Sequence, residues 1–214
     1  MRKIIFIVSL ISIGLVHHLQ AQFTQVELFS GFDKTDFIFL SSSTLNARQT
    51  LSLNTLAFFQ RFKDKESQGF DEIGVQPTLF WNISKNIAIG PSLYYNSFAG
   101  YSERLSAKFA LKNSHVLFVI ISTVAHSEKT GTSYAEAFAQ FQLNIPTNDK
   151  TCLWLNGQLL TVWNEFKTHS RSYQQLRAGV SFSEHQFGIG LDFDQYGLKP
   201  IEKSSFGMYY RKTL

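Results

Sequence analysis

The chain has 214 residues, and its 20 Lys and Arg against 16 Asp and Glu give a net charge of +4. The basic residues are scattered among acidic ones, which excludes the continuous basic patch of a nucleic-acid-binding surface. A single cysteine, Cys152, excludes an internal disulfide framework.

The N-terminus has the pattern of a secretory signal peptide. Met1-Arg2-Lys3 precede the apolar run Ile4 to Val16, and Leu19-Gln20-Ala21 offers a small residue at the cut site. The run is shorter than the roughly 20 residues of a membrane-spanning helix, which disfavours an anchor. The residue directly after the cut site is Gln22 and not a cysteine, so a lipid anchor has no attachment point. We therefore predict a signal peptide at residues 1–21 and a mature chain at 22–214.

Through the rest of the chain, apolar residues recur at every second position, which predicts strands. Short polar clusters separate the alternating segments. In chain order the candidate strands are 23–32, 35–43, 48–62, 70–81, 87–97, 101–111, 115–126, 132–144, 151–163, 171–182, 186–197 and 204–213. We predict an all-β fold, a transmembrane antiparallel up-and-down β-barrel of about 12 strands. A barrel of about 10 strands is the alternative, with residues 23–47 as a plug or rim segment.

The connections between these strands alternate in length. Tight links at 82–86, 112–114 and 184–185 alternate with longer ones at 63–69, 127–131, 164–170 and 198–203. Outer-membrane barrels have short turns on one rim and longer loops on the other. The pattern predicts an even number of strands with both termini on the short-turn rim.

One face of the predicted strands is apolar and the other carries polar and charged residues in mid-strand. For example, Leu153, Leu155 and Leu159 alternate with Asn156 and Gln158, and we expect the leucines to face lipid. The residues expected to line the lumen are Glu72, Arg104, Lys108, Glu136, Gln140, Asn156, Gln158, Arg177, Asp192 and Asp194. They line either a narrow aqueous pore or a solid plug of paired side chains.

The strand at 115–126 departs from this pattern because both of its faces are apolar. Its inner face then meets an inward-folded segment such as 23–47, a hydrophobic ligand, or neighbouring side chains of the barrel, and the last of these is favoured.

The hairpin of strands 171–182 and 186–197 gives a register prediction. A two-residue turn at Glu184-His185 sets Ala178 opposite Leu191, and Arg177 opposite Asp192 in the lumen. A slip by two residues leaves Arg177 and Asp192 as diagonal neighbours. We expect the pair in either register, with a structural role.

The end of the chain carries a family resemblance. Phe206, Met208 and Tyr210 alternate with small or polar residues before the chain stops at Leu214. This resembles the closing strand that the bacterial barrel-assembly machinery recognises. The mature chain is similar to the small outer-membrane β-barrel proteins of Gram-negative bacteria, and the Leu-Gln-Ala-Gln junction resembles those of the Bacteroidota. No specific functional family is indicated.

The resemblance implies an outer-membrane, porin-like location, with membrane lipid and the assembly machinery as partners and an envelope-complex partner as a further possibility. No nucleic acid, cofactor or metal is expected, and no residue is assigned a catalytic role. The leading hypothesis is a narrow channel or a structural or accessory subunit, so an enzyme is not favoured. One alternative is a lipid-modifying hydrolase using His126-Ser127, with Glu128 nearby, or His169-Ser170. Another is a soluble periplasmic, lipocalin-like barrel.

Overall fold

A computed structural model describes residues 21–214, and the predicted signal peptide lies outside them except for Ala21. Twelve strands form a closed antiparallel barrel in which each strand pairs with its neighbours in the chain and β1 closes on β12. The strands are β1 (Ala21–Gly31), β2 (Lys34–Thr44), β3 (Leu51–Phe62), β4 (Glu72–Asn82), β5 (Ile87–Asn96), β6 (Gly100–Lys112), β7 (Val116–Ser127), β8 (Ser133–Pro146), β9 (Thr151–Asn164), β10 (Thr168–Phe182), β11 (His185–Tyr196) and β12 (Ile201–Thr213). The predicted fold class and strand number are confirmed.

The segment 23–47 belongs to the barrel wall. It forms β1, β2 and the start of the following turn, and β1 pairs with β12 from Gln25–Thr213 to Gly31–Gly207. The alternative of a ten-stranded barrel plugged by this segment is therefore wrong. No inward-folded stretch of 23–47 meets the apolar inner face of β7.

The two rims differ less than the sequence suggested. The terminal rim, where β1 begins and β12 ends, has turns at 45–50, 83–86, 113–115, 147–150 and 183–184. The opposite rim has connections at 32–33, 63–71, 97–99, 128–132, 165–167 and 197–200. Only 63–71 is long, and it contains a short 3-10 helix at Lys65–Phe70. The predicted long loops at 164–170 and 198–203 are partly strand, because residues 168–170 and 201–203 continue the ladders of β10 and β12 beyond the apolar band.

Asparagine side chains close several of the turns. The Asn113 Oδ1 accepts from the backbone N–H of His115 and Val116, and the Asn46 Oδ1 accepts from those of Thr50 and Leu51. Such bonds replace the ladder bonds that the chain loses where it reverses, which is why asparagine favours turns.

The hairpin β10–β11 has a register two residues away from the predicted one. Its turn is Ser183-Glu184, with Ser183 at φ 54°, so Ala178 pairs with Ile189 and Asp192 with Gln175. The prediction that Arg177 lies directly opposite Asp192 is wrong. The two residues are diagonal neighbours and form an ion pair.

The barrel is apolar outside and polar inside. On β9, the exposed fractions are 37% for Leu155 and 52% for Leu159, against 2% for Trp154 and 1% for Asn156. Large exposed apolar side chains cover the other strands in the same way. A soluble lipocalin-like barrel has the reverse arrangement, so that alternative is not favoured. Between residues 21 and 214, no helix has the length and apolar character to span a bilayer.

Candidate functional sites inside the barrel and on its outer face

A chain of ion pairs lies inside the barrel between β1, β10, β11 and β12. The Arg177 Nε donates to Glu27 Oε1 over 2.9 Å, and its Nη atoms bind Asp192. The other carboxylate oxygen of Glu27 accepts from the Arg211 Nε over 2.7 Å. All four side chains are almost fully buried, so each charge depends on its partners instead of water.

Lys34 extends this chain to β2. Its Nζ lies 3.0 Å from Asp192 Oδ2, 2.7 Å from Asp194 Oδ2 and 3.1 Å from Asp36 Oδ2, and it is buried. We call the seven residues Glu27, Lys34, Asp36, Arg177, Asp192, Asp194 and Arg211 the main ion network. It holds three cations and four carboxylates.

Aromatic rings cover the two guanidinium groups of this network. The Arg177 guanidinium carbon lies 4.2 Å from the Phe29 ring centre, and that of Arg211 lies 4.2 Å from the Trp154 ring centre. Phe29, Trp154 and Tyr209 form the buried apolar cluster of the interior. Guanidinium faces stack well on aromatic rings, so the cations and the rings fill the lumen together.

A second set of polar contacts, built on one ion pair, spans the lumen from wall to wall. Arg171 on β10 binds Glu72 on β4, and Glu72 also accepts from the Asn96 side chain on β5. In the ring of twelve strands, β4 and β10 lie diametrically opposite each other. The Tyr196 hydroxyl accepts from the Gln60 amide over 2.9 Å, and Gln60 lies 3.4 Å from Lys34, which links this set to the main ion network.

A third set lies on β4 to β8. The Arg104 Nη2 lies 3.0 Å from Glu136 Oε2, and its Nη1 donates to Gln76 Oε1 over 2.8 Å. The Arg104 guanidinium carbon is 3.9 Å from the Tyr94 ring centre. The Arg104 Nη2 also donates a hydrogen bond to the Tyr134 hydroxyl over 3.1 Å.

The structure places the ten residues named from the sequence on the inner face, in different surroundings. Glu72, Arg104, Asn156, Arg177, Asp192 and Asp194 are buried, while Lys108, Glu136, Gln140 and Gln158 are half-buried. Ion pairs join Glu72, Arg104, Glu136, Arg177, Asp192 and Asp194 to other charged residues. Lys108 instead lies over the Phe80 ring at 4.2 Å, and the Asn156 amide donates to Phe141 O.

Sequence reasoning missed several residues of the interior. Glu27, Lys34 and Asp36 were absent from the predicted lumen residues because their segment, 23–47, could be either barrel wall or plug. Arg171 was assigned to no face, and Arg211 lies in a closing strand judged only by its apolar residues. The signal was present: Glu27 stands between the apolar residues Val26 and Leu28, and Lys34 and Asp36 alternate with Thr35 and Phe37.

The two Ser–His candidates differ from the sequence prediction. Ser127 is buried on the inner face of β7 while His126 is exposed, so they point to opposite sides, and His126 instead contacts Ser133 Oγ at 3.2 Å. His169 does not pair with Ser170. Its Nε2 lies 2.9 Å from Ser172 Oγ, and its Nδ1 lies 2.8 Å from the carbonyl oxygen of Gly197.

A groove of about 620 Å³ crosses the outer face of β6 to β9. Its floor is made of small residues that pair across the strands, Ala107 with Ser122 and Ser122 with Ala137. The walls are larger and lie on β5 to β9 and the connection after β9: Ile89, Leu105, Val124, Thr161, Trp163 and Phe166. We call this feature the outer groove.

No family model and no curated protein matches the chain. Among solved structures, the NanC porin is similar at 10% sequence identity and a TM-score of 0.53, over 89% of this chain and 98% of the porin. LpxR from Salmonella typhimurium matches at 7% identity and TM-score 0.49, over 89% and 99% of the two chains. An outer membrane channel from Pseudomonas putida F1 matches at 10% identity and TM-score 0.47, over 90% and 94%. At these identities the likeness to the porin is one of fold.

Proposed function

We propose that this chain is an outer-membrane protein whose lumen is closed by ion pairs, and that it serves as a structural or accessory subunit of the envelope. The observation that carries the proposal is the bridge between Glu72 and Arg171, which joins opposite walls of the barrel. The main ion network fills one side of this bridge and the Arg104 set lies on the other. An open channel instead keeps a water-filled path along its axis.

The outer surface supports the membrane location. Every strand turns exposed apolar or aromatic side chains outward, and strands of 10 to 15 residues are long enough to cross a bilayer at a tilt. Tyr95, Tyr101 and Trp163 lie near strand ends, where aromatic girdles of outer-membrane barrels are found. Membrane lipid is the partner that this surface fits, and the barrel-assembly machinery is the partner expected during biogenesis.

Fractionation of cells tests the location. The protein is expected in the outer-membrane fraction and in solution only after detergent extraction. Release by osmotic shock with the periplasmic proteins would contradict the proposal.

Conductance in planar bilayers tests the closed lumen. We expect no steady current from the wild-type protein and a measurable current from the double variant Glu72→Ala with Arg171→Ala. The double variant removes the bridge without leaving an unpaired buried charge, so the fold is retained. Arg61→Ala, at an exposed position, is the matched control and should stay silent. A steady current through the wild-type protein would contradict the closed lumen.

A further inference from the structure

Polar residues interrupt the apolar outer face near the rim opposite the termini. Thr161 on β9 and Ser172 and Gln174 on β10 lie on this face, in line with exposed Leu159 and Leu176. Polar groups that face hydrocarbon are costly unless they are hydrogen-bonded. Their grouping on two adjacent strands therefore points to a role at this position.

A β-bulge brings His169 onto the same face as Ser172. The pairing of β10 with β9 shifts between His169 and Arg171, so Ser170 is the extra residue of the bulge. In a regular strand, residues three apart point to opposite faces, whereas here the His169 Nε2 and the Ser172 Oγ are 2.9 Å apart. Bulges of this kind re-aim side chains next to active sites.

The hydrogen bonds of His169 fix its tautomer. A backbone carbonyl only accepts, so the Nδ1 donates its proton to the Gly197 oxygen at 2.8 Å. In the neutral ring the Nε2 is then an acceptor facing the Ser172 hydroxyl. The Trp163 ring packs edge-on against the imidazole at 5.7 Å and holds its plane. Ser172, His169 and the Gly197 carbonyl thus form a nucleophile, a base and an orienting group.

The outer groove borders this pair directly. Thr161 and Trp163 line the groove, the Ser172 hydroxyl donates to Thr161 Oγ1 over 3.1 Å, and Trp163 contacts His169. The volume of about 620 Å³ is within the roughly 300–1,000 Å³ of small-molecule sites. An elongated apolar group lying in the groove has one end beside the Ser172 hydroxyl.

The position of Ser172 along its strand matches the depth of lipid esters. Ser172 lies four residues from the start of β10, roughly 13 Å along the strand at about 3.3 Å per residue. β10 has 15 residues, more than the roughly 9–11 that cross a bilayer, so its first residues extend beyond the hydrocarbon. His169 pairs with Trp163 and Ser172 pairs with Thr161, so Ser172 lies two residues further into the barrel than Trp163, just inside the boundary between headgroups and acyl chains.

We infer that Ser172 and His169 form a site that hydrolyses acyl esters of membrane lipids, with the outer groove holding the acyl chain. The Ser172 hydroxyl rotates from Thr161 Oγ1 toward the His169 Nε2, 2.9 Å away, and its Oγ attacks the ester carbonyl while its proton passes to that nitrogen. The ester C–O bond breaks, the lipid alkoxide takes that proton, and an acyl-serine remains. Water, deprotonated by the same nitrogen, then releases the fatty acid and restores the serine. The Gln174 amide, on the same face, is the side chain that can donate to the carbonyl oxygen.

The inference rests on the proposed membrane location but not on the closed lumen. Failure of hydrolysis therefore leaves the fractionation and conductance results untouched. The acyl ester comes either from a diacyl phospholipid or from lipid A, and separate assays distinguish these two sources.

Hydrolysis by the purified, folded protein is the primary test. Vesicles of phosphatidylethanolamine and phosphatidylglycerol form one assay, and mixed micelles containing lipid A form the other, with released fatty acid as the readout. We expect release in at least one assay, and a fluorophosphonate probe should label the peptide that contains Ser172. Ser172→Ala should abolish both signals, and His169→Ala should lower the rate by about 10²–10⁴-fold.

Ser170→Ala and His126→Ala are the matched controls and should keep the wild-type rate. Slower migration after heating in SDS verifies that each variant was folded. The inference is overturned if the folded wild-type protein releases no fatty acid in either assay, or if the folded Ser172→Ala variant keeps the activity. It is also overturned if Ser170→Ala loses as much activity as Ser172→Ala.

The outer groove has its own test. Ala137→Trp fills the floor, so it should lower the hydrolysis of long-chain lipids while leaving that of a soluble acetate ester unchanged. Ala139→Trp, two residues along the same face and outside the groove, is the control. Equal loss on both esters, or equal effects of both variants, would overturn the role of the groove.

Discussion

At the scale of single residues, the number of ionic partners that each group keeps decides how the main ion network responds to mutation. It holds one more carboxylate than it holds cations, and Asp192 has both Arg177 and Lys34 as partners. Loss of Asp192 therefore leaves every cation with a carboxylate partner, whereas loss of Arg177 leaves Asp192 with Lys34 alone. The sequence alone could not show this, because three members lie in the segment left open as a plug.

Arg177→Met should lower the free energy of unfolding by about 3–5 kcal/mol, since it leaves Glu27 and Asp192 each with one partner fewer in a dry interior. Asp192→Asn should cost less, because Arg177 keeps Glu27 and Lys34 keeps two carboxylates. Denaturant unfolding in lipid vesicles, followed by tryptophan fluorescence, measures both values. A larger loss for Asp192→Asn would contradict the role given to the number of ionic partners.

Gly190 makes room for the covered guanidinium of Arg177. A Cβ at this position would lie 2.9 Å from the Arg177 Cδ and Nη1 and from the Phe29 ring. Gly190→Ala should therefore cost about 1–3 kcal/mol of unfolding free energy through overpacking. Gly69→Ala is the control, because nothing lies within 4 Å of its Cβ position. Equal stabilities of the two variants would show that the interior is less tightly filled than described.

At the scale of elements, the alternating pattern predicted the twelve strands because an apolar outer face and a charged interior impose opposite requirements on neighbouring residues. Strand ends were predicted less well. Residues 168–170 and 201–203, which are polar except for Ile201, were assigned to loops, although they continue β10 and β12 above the apolar band. The bulge at Ser170 was also missed, since a polar extra residue outside the apolar band leaves the alternation of the strand undisturbed.

The register of β10 and β11 can be checked by disulfide formation. In a Cys152→Ser background, cysteines at Ala178 and Ile189 should cross-link readily, because directly opposed Cβ atoms are about 4.5–5.5 Å apart. Cysteines at 178 and 191, opposed in the register that a turn at Glu184-His185 requires, should cross-link slowly. Gel mobility after mild oxidation reports the result. Faster cross-linking of the second pair would restore the sequence-based register.

At the scale of the whole molecule, we expect the apolar outer face of the strands to stabilise the barrel in lipid. Leu191 is exposed on the outer face in the middle of β11, whereas Phe182 ends β10 at the terminal rim. The sequence predicted this face from its lack of charge. It could not predict which side chains meet across the lumen, because partners such as Glu72 and Arg171 are 99 residues apart.

Leu191→Arg should lower the unfolding free energy in phospholipid vesicles by about 2–4 kcal/mol, as expected near the bilayer midplane. Phe182→Arg, at the rim, should cost about 0–1 kcal/mol on account of its charge. Reversible unfolding in vesicles compares the two variants. Equal costs would mean that Leu191 does not lie at the depth assigned to it.

The closure of β1 on β12 has a consequence for how the barrel folds. Every other ladder joins strands that are consecutive in the chain, whereas Glu27 and Arg211 are 184 residues apart. Eleven strand pairs can form between neighbours in the chain. The pairing of β1 with β12, which we call the seam, instead costs the entropy of closing a loop of almost the whole chain. The carboxylate of Glu27 stays in water until the seam closes and then meets both arginines at once. The last step of folding is therefore also the step that desolvates the interior charges.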